Sequence, residues 1–321
     1  MKHTAIFCLF WMLTAVLNAT AQTEPVYDTL EIGGIRQVIA YQGKTEAPII
    51  LFLHGGPGSS RMKQADLFST ELRKHFLVVQ WDQRETGRTL ALNQTSGPIT
   101  LELMEEDTYQ LVQELLRKFN KQKLYLAGES WGTVLGFSMA EKHPDLLYAY
   151  LAFSPVVDQT KSEQMLVDLL KEEAKAAGNQ IEERELSTVH IPFESYMDIF
   201  YSRKWMFYHD GQPIADKDTT VLKDYLKAWA DIWLPTWNKA VSQNLVQELP
   251  RINCPVYFFI GGKDLQTNHA IAKAYFDVLD TSMKQLFLFE DAGHSVLVQK
   301  SEEVQKQIIE EVLHGMKDSE D

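Results

Sequence analysis

The sequence Gly-Glu-Ser-Trp-Gly at positions 128–132 lies between an apolar run and a segment with helical spacing. The run at 124–127 predicts a strand, so the pentapeptide is expected at a sharp turn from a strand into a helix. A serine at such a turn is lifted clear of the sheet, and glycines let neighbouring chains pack closely around it. The N–H groups of the following helix then point at a ligand. In this context, the pattern predicts that Ser130 is a nucleophile.

Predicted strands and helices alternate along most of the chain. Each predicted strand is a continuous apolar run, which indicates an α/β fold with a mostly parallel central sheet flanked by helices on both faces. The first two strands are expected to form a hairpin around Gly33 and Gly34. The predicted strands cover 26–32, 37–41, 49–53, 76–80, 123–127, 148–153, 255–260 and 285–289, and the predicted helices cover 101–119 and 268–279, follow Ser130 and begin at 301.

The alternation stops near Pro155 and resumes at Pro255. Between these prolines the chain is helical in pattern and rich in aromatic residues. We interpret residues 156–253 as a helical cap, inserted into an α/β core that comprises residues 22–155 and 254–321.

The first residues resemble a secretory signal peptide. Lys2 and His3 precede an apolar stretch from about Thr4 to Leu17, and an Ala-x-Ala cleavage site ends at Ala21. We expect cleavage after Ala21 and export to the periplasm or the medium. The alternative is a membrane anchor, but the apolar run is short for a bilayer span. No stable membrane span is therefore expected after cleavage.

The formal net charge of the 321-residue chain is −13. A strongly acidic surface disfavours nucleic acid and anionic membranes as partners. A small molecule or short peptide is the expected partner, while the oligomeric state stays open.

A serine hydroxyl needs a base to accept its proton, and that base needs a carboxylate to orient it. Asp264 and His294 each follow a predicted strand, and open α/β sheets place catalysis at the carboxyl ends of strands. The order serine, acid, histidine is that of α/β-hydrolases. We therefore predict that Ser130, Asp264 and His294 form a catalytic triad. Asp291 is the competing acid, although its position three residues before the histidine favours a role in a turn.

The tetrahedral intermediate of acyl transfer also needs hydrogen-bond donors for its oxyanion. The glycine-rich sequence His-Gly-Gly-Pro-Gly at 54–58 ends a predicted strand, so its backbone can approach a ligand closely. We predict that the N–H groups of Gly56 and Trp131 form the oxyanion hole. The alternatives are a tight loop without a ligand and a phosphate-binding loop. The second lacks the expected Gly-Lys-Ser/Thr or Gly-x-Gly-x-x-Gly continuation.

Three motifs in this order resemble the proline iminopeptidase family of α/β-hydrolases, namely His54–Gly58, Trp81–Arg84 and Gly128–Gly132. The resemblance covers most of the mature chain. It implies an α/β-hydrolase core, a helical cap and serine-dependent release of an N-terminal residue, often proline, from peptides. It also implies that the triad and the oxyanion donors are the residues predicted above. The predicted triad mechanism needs no metal or organic cofactor.

The chain departs from the family pattern at two places. Glu85 stands where the family has the first glycine of Gly-x-Gly-x-Ser. Family aminopeptidases hold the substrate ammonium with cap glutamates, one of which follows a tryptophan, and the chain has no Trp-Glu pair. Glu129 and Glu194 are therefore the alternative carboxylates for an ammonium group, although a solvent-exposed carboxylate is the more frequent explanation for either residue. Trp229 and Trp233 are candidates for an apolar wall of the substrate pocket, although aromatic residues in a cap more often serve packing alone.

These observations favour a serine aminopeptidase that acts on short peptides. The runner-up is a carboxylesterase or lactonase with the same triad, which the missing Trp-Glu pair favours. A non-catalytic binding protein on a hydrolase scaffold is the third hypothesis, and it is disfavoured because every expected catalytic residue is present.

Overall fold

A computed structural model of the protein describes residues 24–93 and 97–313. The predicted signal peptide lies outside these residues. The strands are β1 Val26–Ile32, β2 Ile35–Gln42, β3 Ile49–Leu53, β4 Leu77–Asp82, β5 Leu124–Glu129, β6 Leu147–Phe153, β7 Arg251–Ile252, β8 Val256–Gly261, β9 Asp280–Thr281 and β10 Lys284–Phe289. Among the described residues, no helix combines the length and apolar character that a membrane crossing needs.

Eight strands form the main sheet, in the order β1-β2-β4-β3-β5-β6-β8-β10. The β1–β2 and β2–β4 pairs are antiparallel, and every other neighbouring pair in this sheet is parallel. The central strands are apolar because both of their faces are covered: every residue of β3 and of β8 is buried. The predicted mostly parallel sheet is therefore confirmed.

The helices are α1 Asp66–Ser69, α2 Gly87–Leu92, α3 Leu101–Lys118, α4 Trp131–Lys142, α5 Gln159–Ala177, α6 Gln180–Leu186, α7 Tyr196–His209, α8 Asp216–Val241, α9 Leu245–Glu248, α10 His269–Val278, α11 Val296–Gln299 and α12 Ser301–Gln307. Short 3-10 turns lie at Met62–Gln64, Leu72–Lys74 and Pro144–Leu146, and a π-type turn lies at Ile308–Leu313. Two separate apolar clusters of buried residues cover the two faces of the sheet.

Helices α5 to α9 lie between β6 and β7, within the segment interpreted as a cap. Local signals fix their ends. The Asp158 side chain accepts a hydrogen bond from the first turn of α5, and Gly178 ends that helix in a left-handed conformation at φ 63°. Helix α8 packs on the core through Trp233 and Trp237, whose rings each lie 6.3 Å from the Trp131 ring. The boundaries of the cap stay a prediction.

Candidate active site

Ser130 lies in the turn between β5 and α4, with backbone angles φ 52° and ψ −118°. Such a conformation is costly for a residue with a side chain and persists where the surroundings hold it. Here the Ser130 N–H donates to the Phe153 carbonyl at 3.0 Å, which ties the turn to the neighbouring strand. The strained turn lifts the hydroxyl clear of the sheet, as the sequence predicts.

Gly132 makes this turn possible because it lets α4 lie directly against the end of β3. A Cβ atom added at Gly132 would lie 2.1 Å from the Leu53 carbonyl oxygen, which is backbone and cannot move aside cheaply. We therefore expect Gly132→Ala to lower the free energy of unfolding by about 3 kcal/mol, as overpacked cores do. Urea denaturation measures this change.

Gly293→Ala is the matched control, since the nearest atom to its added Cβ is a Gln299 side-chain oxygen 3.8 Å away. It should change the free energy of unfolding by no more than about 0.5 kcal/mol. Equal stability of the two variants would contradict the close approach of α4 and β3.

The structure brings Ser130, His294 and Asp264 into one hydrogen-bonded row. Ser130 Oγ lies 3.0 Å from His294 Nε2, and His294 Nδ1 lies 2.9 Å from Asp264 Oδ2. A neutral histidine in this position carries its proton on Nδ1, where it donates to the carboxylate, and keeps Nε2 free to accept the serine proton. The row can therefore remove the proton from Ser130.

Asp264 is fully buried and its orientation is fixed by three further donors. The N–H groups of Gln266 and Thr267 donate to Oδ1 at 2.9 and 3.0 Å, and the Thr267 hydroxyl donates to Oδ2 at 2.8 Å. Burial by itself raises the pKa of Asp264, but the charge of His294 and the hydrogen bonds from His294 and Thr267 outweigh it, so the pKa is lowered. Asp264 therefore stays ionised. Asp291, the competing acid, pairs instead with Lys300 on the surface at 2.7 Å.

The pKa of His294 is raised although burial acts to lower it. The charge and hydrogen bond of Asp264 raise it first, and the charge of Glu129 adds to them. Since only the neutral ring accepts a proton, activity that depends on His294 should fall as the pH drops below this raised pKa.

Glu129 is buried and faces Arg61 in a two-pronged ion pair. Arg61 Nε lies 2.8 Å from Oε2 and Nη2 lies 2.6 Å from Oε1. The pair joins the residue before Ser130 to the loop that follows Gly56. The sequence gives no sign of this pair, because the two residues are 68 positions apart. Glu129 is thus already paired with Arg61, so a substrate ammonium would have to compete with that ion pair.

We expect Glu129→Gln to move the acidic limb of the pH profile of kcat/KM to lower pH. The substitution removes the negative charge that helps to raise the pKa of His294, so the ring becomes neutral at a lower pH. Glu71→Gln removes an exposed ion-paired carboxylate and should leave the limb in place. A shift of the Glu129→Gln limb to higher pH would contradict the assignment.

The predicted oxyanion donors, Gly56 and Trp131, both lie close to Ser130. Gly56 has φ 116°, which favours glycine, and it lines the same cavity as Ser130. Trp131 is the first residue of α4, and its indole N–H donates to Gln83 Oε1 at 3.1 Å. Gln83 also donates to the His54 carbonyl at 2.9 Å, so one buried amide links the glycine loop to the start of α4. Burial lowers the pKa of His54 to about 4, and its neutral ring accepts the Gln83 N–H at 3.3 Å.

A cavity of about 160 Å³ adjoins Ser130 and His294, and residues of α5, α7 and α8 form its other wall. Trp229 lines this cavity, and its indole N–H donates to the Pro57 carbonyl at 2.8 Å. Trp233 is buried against Trp131 and is not among the lining residues, so it serves packing.

Glu194, the other candidate for an ammonium group, is not brought to the cavity. Its side chain is 72% exposed and lies 3.9 Å from the ring nitrogen Nδ1 of His190. No carboxylate is among the described residues that line the cavity; the formally charged side chain there is that of Arg203. Nothing in the sequence around Arg203 indicates this position.

Comparison with known proteins places these features in a family. A family model described as the alpha/beta hydrolase fold matches residues 48–301. The chain is 27% identical to a probable aminopeptidase, YbaC, of Bacillus subtilis (strain 168), over 83% of this chain and 89% of that protein. It is 23% identical to a proline iminopeptidase of Lactobacillus helveticus, over 81% of this chain and 88% of that protein.

A solved structure shows the same fold. A proline iminopeptidase-related protein of Thermus thermophilus superposes with a TM-score of 0.58 at 19% identity, over 89% of this chain and 98% of that one. The relatives confirm the resemblance to proline iminopeptidases that the three sequence motifs indicate. From the match of its residues 48–301, the chain belongs to the family with the alpha/beta hydrolase fold, and it is a hydrolase.

Proposed function

We propose that the protein is a serine hydrolase that releases N-terminal residues from short peptides. The observation that carries the proposal is the row from Ser130 Oγ through His294 to Asp264, with separations of 3.0 and 2.9 Å. The two relatives named as aminopeptidase and proline iminopeptidase support the peptide as substrate class.

In the proposed reaction, Ser130 Oγ attacks the scissile carbonyl carbon while its proton passes to His294 Nε2. The carbonyl oxygen becomes an oxyanion, which accepts hydrogen bonds from the N–H groups of Gly56 and Trp131. His294 gives the proton to the leaving amine as the C–N bond breaks, and an acyl-enzyme ester remains. Water then attacks this ester with His294 again as base, which releases the carboxylic acid and restores Ser130.

A carboxylesterase or lactonase is the second candidate, and the charge of the cavity favours it. An aminopeptidase must hold an ammonium group, and no carboxylate is among the described residues that line the cavity next to Ser130. Glu129 is already paired with Arg61. An uncharged ester would need no counter-charge.

Matched acyl substrates separate the two candidates. The purified protein is given L-prolyl and L-alanyl arylamides with free and with N-acetylated amino groups, together with the corresponding aryl esters. An aminopeptidase hydrolyses the free amides and loses at least about tenfold in kcat/KM on acetylation. Hydrolysis of esters alone, indifferent to acetylation, would replace the proposal by the second candidate.

We also propose that the protein is exported and that its signal peptide is cleaved after Ala21. The support is the charged, apolar and Ala-x-Ala pattern of residues 1–21. Amino-terminal sequencing of protein recovered from the periplasm or medium of an expressing bacterium should begin at Gln22. Recovery of the uncut chain in the membrane fraction would favour an anchor instead.

A further inference from the structure

Two polar cap residues, Gln159 and Arg203, line the cavity that adjoins Ser130 and His294. Gln159 is the first residue of α5 and is 2% exposed. Arg203 lies on α7, and its side chain is 15% exposed. Neither residue takes part in the proposed acyl transfer. Their position in the cavity wall therefore suggests a role in substrate binding.

The Gln159 side-chain nitrogen is hydrogen-bonded, whereas its side-chain oxygen is not. Its Nε2 donates to Glu163 Oε1 at 3.0 Å and to the Gln266 carbonyl at 2.7 Å. These two acceptors fix the amide orientation, because the reversed amide would place its oxygen against both. Gln159 Oε1 is buried and has no hydrogen-bond partner among the described residues. A buried acceptor in this state is unfavourable, and a bound donor would relieve that penalty.

Arg203 supplies a donor but little net charge. Its Nη1 donates to Glu163 Oε2 at 2.8 Å, and its Nη2 bonds the other oxygen of the same carboxylate. The guanidinium carbon lies 5.7 Å from the centre of the Phe193 ring, which also lines the cavity. Within the described part of the chain, the Arg203 Nε–H has no hydrogen-bond partner. The Arg203–Glu163 pair is neutral as a whole, so it suits neither an ammonium nor a carboxylate.

Gln159 offers a hydrogen-bond acceptor and Arg203 offers a donor, and the two sites together carry no net charge. They therefore complement an uncharged group that has one donor and one acceptor. A peptide group is such a group, since its N–H fits Gln159 Oε1 and its carbonyl fits the Arg203 Nε–H. We infer that Gln159 and Arg203 bind a second, non-scissile peptide group of the substrate. This inference rests on the proposed function.

The position of Gln159 indicates which side of the scissile bond this peptide group occupies. Its amide bonds the carbonyl of Gln266, and the N–H of Gln266 in turn bonds Asp264. Gln159 therefore lies at the His294 side of the cavity, and His294 delivers its proton to the leaving group. The second peptide group thus belongs to the leaving group, so the substrate class is a tripeptide, a longer peptide or a dipeptide amide.

Two substrates that differ by one hydrogen-bond donor test this inference. Alanyl-alanine N-methylamide carries the second peptide N–H, and alanyl-alanine N,N-dimethylamide lacks it. Wild-type protein should hydrolyse the scissile bond of the first with at least about tenfold higher kcat/KM. In Gln159→Met, which keeps the length of the side chain but removes the acceptor, the ratio should fall towards one.

The ratio is internal to each variant, so partial unfolding lowers both rates alike and leaves the ratio intact. The control is Gln164→Met on the same helix, because Gln164 is exposed and its amide donates to Asp168 Oδ1 at 2.9 Å. This variant should keep the wild-type ratio. A wild-type ratio near one, with both peptides cleaved, would overturn the inference alone. Hydrolysis of esters but of neither peptide would overturn the proposed function and this inference with it.

Discussion

Ser130→Ala is expected to lower kcat by a factor on the order of 10⁶, because removal of the nucleophile leaves only binding and oxyanion stabilisation. The hydroxyl that is lost lies 3.0 Å from His294 Nε2, and no other serine of the described chain bonds that nitrogen. The same substitution should abolish covalent labelling by a fluorophosphonate probe. Steady-state kinetics and mass spectrometry of the labelled protein measure the two effects.

Ser138→Ala is the matched control, since Ser138 lies on the helix that follows Ser130 and outside the cavity. It should keep wild-type kcat and full labelling. Unchanged turnover in Ser130→Ala would show that another group is the nucleophile, whatever the substrate.

Asp264→Asn should lower kcat about 10⁴-fold with little change in fold, through the tautomer of His294. The N–H groups of Gln266 and Thr267 hold one carboxyl oxygen of Asp264, so an asparagine would keep its oxygen there. Its NH₂ group would then face His294 Nδ1, where the aspartate accepts a hydrogen bond at 2.9 Å. The imidazole would have to carry its proton on Nε2 and could no longer accept the proton of Ser130.

Asp291→Asn separates the two candidate acids. Asp291 lies three residues from His294 in sequence, but its carboxylate is 69% exposed and pairs with Lys300. The substitution should leave kcat within about twofold of wild type, as expected for a surface ion pair. If Asp291→Asn lowers kcat more than Asp264→Asn does, the catalytic acid has been assigned to the wrong residue.

The sequence predicted the features that depend on neighbours along the chain. Continuous apolar runs located the strands, and the predicted strand 49–53 has the observed bounds of Ile49–Leu53. The candidates Ser130, Asp264 and His294 all follow such strands, so the parallel sheet brings them to one edge. Helix α2, Gly87–Leu92, escaped prediction because six residues are too few to show a helical period.

Features that depend on two distant segments could not be predicted in this way. The Arg61–Glu129 pair and the Arg203–Glu163 pair join residues 68 and 40 positions apart. No local pattern tells which charged residues meet, so Glu129 looks the same in sequence whether it is free or paired. The same limit applies to Glu194, because its sequence neighbours do not show that its side chain is 72% exposed and lies outside the cavity.

The hydrogen bond from the Trp229 indole N–H to the Pro57 carbonyl joins the helices between β6 and β7 to the loop next to Ser130. Pro57 follows Gly56, so α8 is tied to the loop that carries one of the two proposed oxyanion donors. Breaking this hydrogen bond would remove one of the constraints on that loop. Trp229 also lines the cavity beside Ser130, so a single side chain both bounds the cavity and anchors the loop next to it.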